Sequence, residues 1–340
     1  MTGLPKSLQP LLRDVSRSFS LSLAVLPASL RGPLGLAYLL ARAADSVADT
    51  QVLPAGERLR CLDLFRRELE QPSLSQLSEI VAAVRDTEQH PSERALLRRL
   101  PECFAHYLAL TLEDRGRVAG LLRTLVHGMR RDLERFPSGR LVCLQDRAEL
   151  QEYTYYAAGC VGEFWTAMAI AHRPALSAWR AEPMAALGRR FGQGLQMTNV
   201  LRDLAQDLRL GRCYLPKQDL SRLGLTAEDL LSPACLPRLR PLLADLLGLA
   251  LDGLTDGWGY LQAIPSGETR LRLACAWPLL IGLRTLEQIG RNPALLDPAV
   301  RVKISRPAVY AILAQSTLLV RWDAGLGRYY GRLRRRAAPK

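Results

Sequence analysis

The chain has 340 residues, nearly half of them apolar, and a formal net charge of +13. That is enough apolar content for a sizeable core in one large domain or two ordinary ones, and few aromatics beside abundant Leu, Ala and Arg favour helix over strand. Cys61, Cys103, Cys143, Cys160, Cys213, Cys235 and Cys275 are scattered singly with no Cys-x-x-Cys pair, which argues against a disulfide framework or a zinc site and predicts a reduced, cytoplasmic setting.

Met1 to Gln9 lacks the apolar run of a signal peptide. No stretch of about 20 apolar residues predicts a membrane span. The excess positive charge comes from arginines along helices and from a basic tail at about 321–340, with Arg321, Arg328, Arg332, Arg334, Arg335, Arg336 and Lys340. Such a tail reads either as attraction to anionic lipid, a peripheral membrane contact, or to a polyanionic substrate, or as a solvated end. It does not read as nucleic-acid binding, because no recognisable module or aromatic stacking platform accompanies it.

Leu8, Leu11, Leu12, Val15, Phe19 and Leu23 recur at helical steps and predict a helix from 7 to 26 that Pro27 breaks. A second helix is expected from about Gly32 to Asp49. On it Tyr38, Arg42, Asp45 and Asp49 step 4, 3 and 4 along one face. That stripe is costly to bury unless it meets charged partners, so it reads as the wall of a polar cavity. The other reading is a surface stripe in which Arg42 pairs with Asp45 at i, i+3. Helices follow at about 57–70, 74–86, 92–112 and 114–136. His90, His106 and His127 have no partner at metal-ligand spacing.

After the break at Phe136-Pro-Ser-Gly, a helix from Asp146 to Ala171 carries Tyr153, Tyr155 and Tyr156, read as one cluster, then Gly159 and Gly162. Mid-helix glycines cost roughly 1 kcal/mol each. They mark the close approach of a neighbouring helix or of an apolar ligand chain. From about Pro183 the next helix leads into Gln196 to Asp207, where Asn199, Asp203 and Asp207 fall at i, i+4 and i+8 on one face. Leu195, Val200, Leu201 and Leu204 flank that face. Gly211-Arg212-Cys213-Tyr214-Leu215-Pro216 reads as a turn. Helices near 226–263, 268–290 and 307–333 complete the chain, with Pro278 as a kink. No strand alternation, Gly-rich phosphate loop or repeat appears, so the expectation is all-α and a single domain over 1–340.

Two acidic faces far apart in sequence suit several hard cations and a polyphosphate. Mg²⁺ prefers oxygens, usually one or two carboxylates with water and substrate phosphate. Asp45 and Asp49 on one face, and Asn199, Asp203 and Asp207 on the other, are the candidate metal ligands. Arg42, Arg202 and Arg212 are placed to grip phosphate oxygens. Metals and arginines neutralising a leaving diphosphate let a C–O bond ionise, and apolar walls keep water from the cation.

These motifs resemble those of the squalene/phytoene synthase family of head-to-head prenyl transferases. Ser16-Arg17-Ser18-Phe19 and Tyr38-x-x-x-Arg-x-x-Asp-x-x-x-Asp49 look like its opening and first aspartate-rich motif. Tyr153-x-x-Tyr156-x-Ala-Gly-x-Val-Gly162 is similar to its central tyrosine motif, and Gln196 to Asp207 with Gly211-Arg-x-Tyr-x-Pro216 to its second aspartate-rich motif. Cys275-Ala-Trp-Pro278 and Val302-Lys303-Ile304 resemble segments of the squalene-forming branch, although Ser305 stands where a basic residue is expected.

The resemblance implies an isoprenoid synthase fold, one large helical bundle with a central cavity between the aspartate helices. It implies Mg²⁺, with Mn²⁺ as a substitute, and a reaction of two farnesyl diphosphates through presqualene diphosphate, reduced by NADPH to squalene. Asp45, Asp49, Asp203 and Asp207 then serve ionisation, and Tyr153 the first proton removal or cation. Phe19, Tyr38, Tyr156, Gly159, Gly162, Leu195, Gln196 and Asn199 join the three arginines in binding substrate. Asn199, Arg202 and Lys303 contact NADPH, for which no fingerprint is present. The alternative within the family is a phytoene, dehydrosqualene, presqualene diphosphate or hydroxysqualene product without hydride transfer. The absence of the C-terminal anchor of eukaryotic squalene synthases leads us to expect a bacterial-type soluble or peripheral enzyme.

Overall fold

The structure, a computed structural model, describes residues 4–16, 19–50, 52–84 and 90–339. Among them helices dominate, and the chain divides into two compact units, 1–134 with 164–177 and 135–163 with 178–340.

The first unit is built on the helix Ala28–Asp49. Pro27 precedes it in an extended conformation, and the Leu- and Ala-rich sequence after that point buries most of its surface. Leu30, Leu39, Leu40, Ala43 and Ala44 are fully enclosed. Burying one such leucine contributes about 1.5–3 kcal/mol. Packed on it are Leu8–Val15, Ala55–Glu70, Pro91–Arg98 and Leu100–Leu108. Phe65, Phe104 and Tyr107 meet edge to face at 5.3 and 5.8 Å and close this core. The helix expected over 7–26 is two, Leu8–Val15 and Phe19–Val25. That expected over 92–112 is also two, parted at Arg99, because Pro101 cannot donate into the preceding turn.

The second unit is organised on Ala181–Arg209, a helix of 29 residues. Leu236–Ala263 and Thr269–Arg291 lie against it, and Arg306–Leu319 and Asp323–Ala337 lie on Thr269–Arg291. Trp258 stacks on Tyr330 at 4.3 Å. The helix expected over 307–333 is interrupted: Trp322 is extended (φ −109°, ψ 92°) and caps Asp323–Ala337. Its ring takes the space in front of Gly325, which a Cβ would occupy. The expected helix near 226–263 begins only at Leu236, after two short 3₁₀ turns. Pro278 lies inside Thr269–Arg291.

Two short strands, β1 (Val142–Leu144) and β2 (Arg212–Pro216), pair in parallel, with Val142 opposite Arg212 and Cys143 opposite Cys213. No strand was expected, because three residues are too few to show a period of two.

Candidate active site

In the first unit the polar stripe forms on its helix as the spacing predicts. The Tyr38 hydroxyl donates to the Val15 carbonyl at 3.4 Å. Arg42 donates through Nη1 to Asp45 and through Nη2 to Glu93, and the Ser46 hydroxyl reaches Glu93 Oε2 at 3.4 Å. The i, i+3 ion pair therefore exists, and Arg42 is shared by two carboxylates. Loss of water around Asp45 and the nearby Asp49 push its carboxyl up to about 6, against the lowering pull of Arg42. Its side chain is still 37% open, so water screens part of this effect. Asp49 is exposed. The Phe19 side chain, with Arg17 and Ser18, lies outside the described residues.

Glu93 had no sequence signal for this role. It follows His90-Pro-Ser at a helix start, where an acid is expected merely to complement the helix dipole.

In the second unit Asn199, Asp203 and Asp207 are half-buried along one face of Ala181–Arg209, while Val200, Leu201, Leu204 and Leu208 are buried beside them. Arg202 forks onto the adjacent Asp203, Nε to Oδ1 at 2.9 Å with Nη2 on Oδ2. That hydrogen bonding outweighs the cost of burial and holds its guanidinium more firmly protonated.

Towards the N-terminus of the same face, Asn199 donates to Gln196 Oε1 at 3.3 Å, and Gln196 Nε2 donates to the Tyr153 hydroxyl at 3.1 Å. The Tyr153 ring stacks on Tyr214 at 4.2 Å, and Phe136 meets Tyr214 edge-on at 5.2 Å. Tyr214 stands on β2 two residues after Arg212. Gly211 makes the turn into that strand, with φ +81° and the Arg140 carbonyl where a Cβ would stand 2.5 Å away. Tyr214 and Phe136 lie in stretches whose sequence is distinctive, yet only the stacking reveals their use.

The tyrosine motif straddles two elements. The helix Arg147–Thr154 continues into a π turn at Tyr155–Gly159 before Cys160–His172, an irregularity frequent at functional sites. The Tyr155 hydroxyl bonds Glu163 at 3.2 Å, and burial with the Glu163 charge pushes it up to about 12. Tyr156 meets Tyr155 edge-on at 5.4 Å.

Gly159 and Gly162, read as marking a neighbouring helix or an apolar ligand chain, lie against the long aspartate helix. A Cβ on Gly162 would collide with the backbone of Gly188, and one on Gly159 would stand 3.0 Å from Gln193 Cγ. Leu195 is half-buried on that helix.

Lys303 is exposed and lines a recess of about 370 Å³ with Arg284, Gln288, Arg291, Asn292 and Arg301. Asn199 and Arg202, expected to share its ligand, do not line it. Among the described residues, no three His, Cys, Asp or Glu side chains are grouped as a ready-made metal cage. The donor sets fit Mg²⁺ by chemistry, since carboxylates four residues apart supply the one or two hard oxygens it takes from protein when phosphate supplies the rest.

A helical bundle with aspartate-bearing faces, basic side chains beside them and an oriented tyrosine defines a class of α-helical synthases. The fold agrees with that of TcSQS solved with a ligand, at a TM-score of 0.77 and 20% identity over 98% of this chain and 96% of that one. The chain matches the squalene/phytoene synthase family over residues 12–308 and belongs to it. It is 26% identical to a squalene synthase of Schizosaccharomyces pombe over 86% of this chain and 61% of that protein. It is 28% identical to a bifunctional lycopene cyclase/phytoene synthase of Pyrenophora tritici-repentis over 90% of this chain and 48% of that protein. The chain thus spans about half to three-fifths of the length of these curated relatives.

Proposed function

We propose that this protein condenses two farnesyl diphosphates head to head in a Mg²⁺-dependent reaction and delivers squalene with NADPH as reductant. The observation that supports this most is the continuous polar face of one helix, from Gln196 through Asn199 and Asp203 to Asp207, with Tyr153 hydrogen-bonded at its end. The aspartates and the glutamine that orients Tyr153 are thereby carried on one rigid element.

When bound, Mg²⁺ neutralises the diphosphate that leaves as the C–O bond ionises. On the second unit Asp203 and Asp207 would hold it, and on the first unit Asp45 and Asp49 offer carboxylates of the same kind. Arg202 and Arg212 would take non-bridging phosphate oxygens on the second unit, Arg202 by turning from Asp203, and Arg42 would do so on the first unit by turning from Asp45 and Glu93. The second substrate's double bond attacks the allylic cation, a C–C bond forms, and one proton leaves to give the cyclopropyl diphosphate. Tyr153 assists the removal of that proton, which the departing diphosphate receives, or steadies the charge. Its oxygen accepts from Gln196, which leaves the remaining lone pair oriented, and the Tyr214 stack holds the ring. Leucine-rich flanks exclude water from the cation. Supporting the reductant, Arg301 and Lys303 in the recess they line offer cations to the phosphates of a dinucleotide, while Arg284 and Arg291 there are held by Glu287.

The relative that pairs a phytoene synthase with a lycopene cyclase favours a second reading, a hydrocarbon product formed without hydride transfer. Incubation with farnesyl diphosphate and Mg²⁺, with and without NADPH, separates the two. Squalene formed only with NADPH is the expected result. The same hydrocarbon with or without NADPH, or a requirement for geranylgeranyl diphosphate, overturns it.

A further inference from the structure

Of the 14 residues of Arg306–Leu319, Ile312 and Ser316 are buried. Beside the exposed Gln315 and Thr317, the outward side carries an apolar strip where water should select polar residues. Tyr310 is 65% exposed, Leu318 83%, and Trp322, just past the helix end, 56%. Tyr310, Ala314 and Leu318 fall at i, i+4 and i+8, on one face, and Ala314 is exposed as well. Large exposed apolar side chains grouped on one face mark an interaction surface, unlike scattered ones.

The charge around this face has one sign. Arg301, Lys303 and Arg306 stand before it, and Arg321, Arg328, Arg332, Arg335 and Arg336 after it, all exposed. The Arg328 guanidinium lies 5.9 Å from the centre of the Trp322 ring. Asp323 is the sole acid in residues 298–340, and Arg272 already holds it. A second copy of this chain would bring like charge to the same place. Tryptophan and tyrosine favour the boundary between lipid headgroups and acyl chains, where leucine inserts and arginine meets phosphate. Among the described residues, no helix is long and apolar enough to cross a membrane.

We propose that the Tyr310–Leu318 face, with Trp322 just past its helix and the exposed arginines of 321–336 following in the chain, seats this protein on the surface of an anionic lipid bilayer. The contact lies in the plane of the headgroups, and it stands independently of the reaction the protein performs.

Co-sedimentation of the full chain with phosphatidylglycerol–phosphatidylcholine vesicles, against phosphatidylcholine alone, tests it. The chain is expected to pellet with the anionic vesicles and to be released as salt approaches about 0.5 M. Leu318→Glu is expected to weaken binding at least about ten-fold, because it removes the insertion of a full leucine. Arg332→Gln with Arg335→Gln is expected to weaken it about five-fold per arginine. All these side chains are exposed, so melting temperatures should hold. Failure to pellet, equal binding to neutral vesicles, or unchanged binding by Leu318→Glu overturns the proposal. So does a dimer that Leu318→Glu dissociates in sedimentation velocity, since the face would then be covered by a second copy.

Discussion

Gln196 donates from Nε2 to the Tyr153 hydroxyl at 3.1 Å, so the helix that carries Asp203 and Asp207 also aims the tyrosine of its neighbour. A neutral hydrogen bond of this kind is worth about 1 kcal/mol. Gln196→Ala is therefore expected to lower kcat about five-fold, with thermal stability unchanged. Tyr153→Phe keeps the stack on Tyr214 but loses the hydroxyl, and should cost about 10² or more in kcat. Equal kcat for Tyr153→Phe and wild type in steady-state assays would remove Tyr153 from the chemistry.

Arg202 meets Asp203 with two donors in one plane, a geometry lysine cannot reproduce. Arg202→Lys should raise KM for the diphosphate substrate about ten-fold with a small loss of stability, since both side chains are 37% open and such pairs contribute at most about 1 kcal/mol. Asp203→Asn should cut turnover by orders of magnitude at unchanged far-ultraviolet circular dichroism. Full turnover by that variant would dismiss the metal assignment of this face.

Asp45 is the clearest pH-dependent element. Its folded pKa, about 6, stands above the ordinary value of 3.8. The folded state therefore holds the proton more tightly. The stability this lends is fully present below pH 3.8 and is lost as pH rises towards 6 and beyond. In metal-free buffer, wild type should lose stability relative to Asp45→Asn between pH 4 and 7, as read by thermal unfolding of both proteins. Mg²⁺ with inorganic diphosphate should then raise the melting temperature of wild type at pH 7.5, as binding to the folded state alone must, and raise that of Asp45→Asn less. Parallel pH profiles for the two proteins would contradict the origin assigned to the shift.

Gly162 faces the backbone of Gly188, whereas a Cβ on Gly116 meets nothing within 4 Å. Gly162→Ala should destabilise by about 1–3 kcal/mol through forced separation of the helices. Gly116→Ala, in the exposed middle of a helix, should stabilise by about 0.4–1 kcal/mol. Thermal melts of the two variants that shift in the same direction would show that helix propensity, not contact, governs both sites.

Much of the site was legible because helical spacing translates directly into a face. Asn199, Asp203 and Asp207 needed only a helix to align, and the helix forms as its apolar flanks predict. The Arg42–Asp45 pair followed from the same rule. Illegible were contacts made across elements: Glu93 on Arg42, Tyr214 under Tyr153, and the Gly188 backbone against Gly162. Each depends on where a second segment passes, and no local periodicity encodes that. The π turn at Tyr155 was missed for a related reason, since one wider turn leaves the apolar pattern on either side intact.

The order of the aspartate and tyrosine motifs, the helical character of the chain and the breaks at Pro27 and before Pro101 were settled by local chemistry: spacing, propensity and a missing N–H. Tertiary packing decided how the acidic stretch from Gln196 to Asp207 is completed. It set Arg202 on Asp203, brought Tyr153 to Gln196, and used β2 to place Arg212 and Tyr214 together. It also left the face of Tyr310 and Leu318 uncovered. An amphipathic pattern shows which side of a helix wants burial, but whether anything arrives to bury it depends on the rest of the chain.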